Sequence, residues 1–116
     1  MAFLDTGFNL LRDVINTDLS SGQAGTSTYP PRATQTGLLL PVAATLNTLS
    51  TKIVSEDTIT VTHVVTTTEA NGSSLTEWEV LGNADATDYT RILRTGLAKT
   101  AVMEVTMITA FILERT

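Results

Sequence analysis

Apolar positions in the first seventeen residues recur at three- and four-residue steps. Phe3, Leu4, Phe8, Leu11, Val14 and Ile15 fall on one side of a 3.6-residue repeat, which predicts an amphipathic helix over residues 5–17. Asp5 or Thr6 suits its N-cap, and Gly7 is a flaw costing about 1 kcal/mol. From Asp18 to Gly37 the pattern dissolves into Gly, Ser, Thr and Pro, with Pro30 beside Pro31. So long an irregular stretch is expected to be mobile or clamped against something outside the fold. An extended arm over a neighbouring subunit is the reading adopted, with Tyr29 as its bulky anchor.

Beyond Gly37 the period changes from helical to alternating. Residues 38–52 fit a helix or a strand, and a strand over 46–54 is favoured. Residues 58–67 place Ile59, Val61, His63 and Val65 on one face and Thr60, Thr62 and Val64 on the other, a half-buried strand. Asn71-Gly72 then reads as a hairpin turn. Residues 75–81 alternate Thr76, Trp78 and Val80 against Glu77 and Glu79. A second hairpin at Gly82 to Asp85 leads into residues 88–95, and residues 101–114 form a last strand, apolar on both faces towards its end. That strand is expected at the centre of a sheet or under a partner. The expected fold is mainly β: an antiparallel meander or sandwich of about four to six strands, preceded by a helix and an arm. The division expected is residues 1–37, helix and assembly arm, and residues 38–116, the β-domain.

Composition sharpens this picture. Threonine fills 23 of 116 positions, and its β-branched side chain suits pleated, half-solvated surfaces. Seven basic residues against twelve acidic ones leave a net charge of -5, the wrong sign for nucleic acid. The first residues carry no basic stretch and no apolar run is long enough for a bilayer, so no membrane partner is expected. The absence of cysteine removes disulfides, thiolate metal sites and thiol nucleophiles.

Little in the chain suggests catalysis. His63, the sole histidine, lies on an apolar strand face without a nucleophile at motif spacing. Glu77 and Glu79 share a strand face and could pair or hold a divalent ion, but are expected to solvate an exposed surface. Arg91 or Arg94 could meet one of them in a surface ion pair worth less than about 1 kcal/mol. Asn83, Asp85 and Asp88 resemble the opening of a calcium loop, yet its glycine and closing glutamate are missing. No catalytic residue, cofactor or metal ligand is expected within one chain. A structural ion held by Glu77, Glu79, Asp85 and Asp88 from several copies is the route left open.

The series Glu69, Ala70, Asn71, Gly72, then Leu75, Thr76, Glu77, then Tyr89, Thr90, Arg91, then Lys99, Thr100 and a long apolar strand resembles the strand-and-turn pattern of small structural proteins of tailed bacteriophages and archaeal tailed viruses. Tail-fibre and baseplate proteins are the nearest group. Leu11, Arg12, Asp13, then Gly22 to Thr26, then Thr34 to Leu38, is similar to the leader of such proteins. Trp78 departs from the small residue more usual after the Glu. The resemblance implies a virion location, a homo-oligomer with a trimer favoured, other virion proteins as partners, and a host-surface receptor as a further one. Phe3, Leu4, Phe8, Leu11 and Tyr29 are the expected assembly contacts. Two alternatives stand beside it: a capsid decoration or turret protein, and a stand-alone carbohydrate-binding β-module with Trp78, Tyr89 and Tyr29 as stacking platforms.

Overall fold

The computed structural model describes residues 5–113. Helix α1 (Asp5–Asp18) runs directly into β1 (Leu19–Gly25); after a long loop come a 3-10 turn (Ala43–Thr45), β2 (Asn47–Thr48), β3 (Thr51–Ser55), β4 (Thr58–Val65), β5 (Ser74–Gly82), β6 (Thr87–Ala98) and β7 (Val105–Ile112). The strands form two antiparallel sheets, ordered β2-β1-β5-β6 and β3-β4-β7. Mainly β with one N-terminal helix is therefore the fold, and of the two expected arrangements it is the sandwich.

The core lies between the sheets. Leu19 and Val80 from one sheet meet Ile59 and Val61 from the other together with Leu49. A second cluster joins Ala24, Leu75 and Trp78 to Val65. Removing a side chain of this size from water contributes about 1.5–3 kcal/mol. In β4 the Ile59, Val61, His63, Val65 face is buried and the threonine face is half-buried, as alternation requires. Trp78 points inward with Val80.

Four expectations are corrected. Residues 19–25 are a strand in the middle of the four-stranded sheet, not part of an arm, so β1 ties the N-terminal segment into the β-fold and no boundary falls at residue 37. Its residues are small because neighbours crowd it: a Cβ on Gly22 would lie 2.6 Å from the His63 ring. Asn71-Gly72 does not close a hairpin. β4 and β5 belong to different sheets, and the turn is fixed by the Gly72 amide donating to the Lys99 carbonyl, 2.9 Å. Of the two places expected for the last strand, the centre of a sheet is overturned: among the described residues β7 is an edge paired with β4 alone, and its outward side chains are exposed. The strand expected over 46–54 is divided, with β2 in one sheet and β3 in the other. The hairpin β5-β6 forms as expected, with two irregularities of register.

The helix spans the predicted residues. Its C-terminal end is capped from another element, since Lys52 Nζ donates to the carbonyls of Asn16 (2.9 Å) and Leu19 (2.8 Å). A cation at this end satisfies unpaired carbonyls and opposes the helix dipole.

Candidate functional site

β5 is buried on both faces from Leu75 to Gly82, so its outward residues lie under a cover. That cover is residues 26–41, which leave β1 and return to it. The Thr26 amide donates to the Leu40 carbonyl (3.0 Å) and the Val42 amide to the Ala24 carbonyl (2.9 Å). The segment is thus clamped on its own chain, where the sequence reading placed it on a neighbour.

Glu77 holds it there. Its Oε2 accepts the amides of Ser27 and Leu40, each at 2.9 Å; its Oε1 accepts the Leu39 amide at 3.0 Å and Arg91 Nε at 2.8 Å. Arg91 Nη1 donates in turn to the Tyr29 carbonyl at 2.8 Å and to Gln35 at 3.3 Å. The carboxylate is 0% exposed and the Arg91 side chain 4%. Burial alone would raise the Glu77 carboxyl, but the Ser27 amide, the Arg91 guanidinium and the Leu40 and Leu39 amides together hold it below its ordinary range. The expected surface ion pair is hence a buried one, because the glycine- and proline-rich loop folds back over it.

Beside this joint, Glu79 and Asp88 form a carboxyl pair. Burial, the hydrogen bond with Asp88 and the Asp88 charge push Glu79 up to about 8, against one bond from the Leu38 amide. Burial also raises Asp88, although its Oδ1 accepts the Thr90 amide at 3.1 Å. Burial and the neighbouring Asp88 carboxyl disfavour a second negative charge here, so the protonated form of Glu79 is favoured. Glu77 and Glu79 are therefore not the solvated pair that alternation suggested.

The remaining polar residues are also occupied. Asp85 accepts the hydroxyls of Ser20 (2.7 Å) and Ser21 (2.5 Å), which lower its carboxyl, and it sits in a turn where Asn83, Ala84 and Asp85 all have positive φ. Asp88 points instead to Glu79, so the calcium-loop trio does not converge. Among the described residues no three His, Asp or Glu side chains are placed to hold a metal ion. Glu77 and Glu79 are enclosed by their own chain and are therefore not open to an ion shared between copies. His63 Nε2 lies 2.8 Å from the Thr45 carbonyl, so that nitrogen carries the proton and donates. Burial lowers its pKa, outweighing the Thr45 bond and the Glu69 charge. A neutral histidine in this place ties the 3-10 turn to β4.

A second buried joint was not foreseen. Lys99 is 1% exposed, and its Nζ donates to Asn71 Oδ1 (2.9 Å) and the Thr100 carbonyl (2.8 Å). In the sequence it showed only as a lysine in the turn after residues 88–95. Of the expected assembly contacts, Phe3 and Leu4 lie outside the described residues, Phe8 is buried, Leu11 is 46% exposed and Tyr29 70%. Trp78 is buried, which removes it as a stacking platform, and the Tyr89 hydroxyl is engaged by Asp18 at 2.5 Å.

Taken together, Glu77 and Arg91 clamp a loop and Glu79 lies buried beside Asp88, while Asp88 and Arg91 also border a pocket of about 240 Å³ with Pro31, Arg32 and Gln35. No protein-family model, no curated protein and no solved structure matches the chain.

Proposed function

We propose that this chain is a non-enzymatic structural virion protein of a tailed virus, a tail-fibre or baseplate component that assembles as a homo-oligomer and takes part in host attachment. The observation that carries the reading is the place of the residues behind the resemblance. Asn71 and Thr100 meet at the buried Lys99, and Glu77 and Arg91 meet in a buried ion pair. Residues spread over about a quarter of the sequence thus form two supports of one sandwich, an architectural use of the pattern. The burial of Trp78 speaks against the carbohydrate-binding alternative.

A trimer is the assembly that the resemblance favours, with other virion proteins and a host-surface receptor as further partners. The test is immuno-electron microscopy of purified particles with an antibody against this chain. Labelling of the tail is the expected result. Labelling of the capsid would move the protein to the decoration or turret class, and unlabelled particles would overturn the reading.

A further inference from the structure

Among the described residues the sandwich has four sheet edges, and three of them carry a device that blocks strand pairing. β2 is two residues long. β3 carries Lys52. β6 carries Asp88, Arg91 and Arg94 and pairs irregularly with β5. The fourth edge, β7, has eight residues, VTMITAFI, without a charge, a proline or a glycine, and keeps an unbroken register with β4. An unguarded edge of this length presents a row of free backbone donors and acceptors to another chain.

The face beside that edge is equally bare. The outward positions of β3, β4 and β7 number eleven and include no charged residue. Thr58, Thr60 and Thr62 run down its centre, flanked by Ile53 at 59%, Ile108 at 61% and Ile112 at 65% exposure. An uncharged face with exposed isoleucines beside an open edge marks an interaction site.

We infer that β7, through its free edge and its uncharged outer face, is the surface on which a second copy of this chain docks. The occupant follows from charge. Two copies of a chain with a net charge of -5 repel each other wherever their acidic surfaces meet, and this neutral patch lets identical subunits approach without apposing like charges. The strand also offers its own copy an edge of equal length and matching neutrality. The inference rests on the assembly reading above and assigns it a surface, in place of the N-terminal helix and arm.

The test uses the full chain. Light scattering of the parent is expected to give a multiple of 12.4 kDa, Ile108→Lys is expected to fall to the one-chain mass with an unchanged circular dichroism spectrum, and Leu10→Lys on the exposed helix face is expected to keep the parent mass. Since the chain has no cysteine, Ile108→Cys gives a second readout: mild oxidation should link copies covalently, whereas Leu10→Cys should not. Loss of assembly in Leu10→Lys with retention in Ile108→Lys would overturn the inference and leave the assembly reading standing. A parent of one-chain mass at every concentration would overturn both.

Discussion

The outer face of β5 and β6 carries Glu77, Glu79 and Arg91 with Asp88 beside them, and is covered by residues 26–41 of the same chain; the outer face of β3, β4 and β7 carries no charge and has no cover among the described residues. The charged face is the closed one. Its groups are satisfied by backbone amides that only a folded-back loop can supply, so it is committed to the chain's own architecture. The uncharged face has no ion to desolvate, and its edge is open among the described residues. Under the proposed docking, charge in this sandwich marks the closed face and neutrality the face to be joined.

The largest way to break this contrast is to remove the carboxylate that holds the loop. Glu77→Ala leaves Arg91 buried without its partner and three amides without an acceptor, a loss expected at about 3–5 kcal/mol in urea unfolding. Gly25→Ala attacks the same joint from the backbone. Its Cβ would lie 2.5 Å from both the Leu40 carbonyl and the Glu77 carboxylate, so a loss of about 1–3 kcal/mol is expected in the same measurement.

A pH series sharpens the comparison further. Glu79 is raised from 4.5 to about 8 in the folded chain, so the folded state keeps a proton that the unfolded state gives up above pH 4.5. Stability from this group is therefore lost as pH rises from about 4.5 to about 8 and is level beyond. Glu79→Gln mimics the protonated form, and the parent is expected to weaken relative to it across that window. A parallel pair of profiles would contradict the raised Glu79 carboxyl. The smallest effect belongs to the bare face: Ile108→Lys is expected to change the unfolding free energy of the single chain by less than about 0.5 kcal/mol, though it should abolish assembly.

Alternation along the strands made the inward faces legible. Ile59, Val61, His63, Val65, Trp78 and Val80 are buried where a two-residue repeat puts them. Alternation was silent on what covers the other side of a strand, so Glu77 and Glu79 read as solvated although a loop about forty positions away encloses them. β1 escaped notice because Ser20, Ser21, Gly22, Ala24 and Gly25 have the composition of a loop. They are small because the His63 ring and the Glu77 carboxylate press on Gly22 and Gly25. Which sheet each strand joins was equally hidden. Asn71-Gly72 has the local chemistry of a hairpin, and only its bond to Lys99 shows that the chain crosses there between layers.

Amide hydrogen exchange followed by mass spectrometry at several protein concentrations tests the division of the two faces most directly. The loop, residues 26–41, is expected to be protected equally at every concentration, because the amides of Ser27, Leu39 and Leu40 bond to Glu77 of the same chain; protection of residues 105–112 is expected to rise with concentration as free β7 edges are taken up. Loop protection that rises with concentration while β7 stays unchanged would contradict the account and return the assembly contacts to the N-terminal segment.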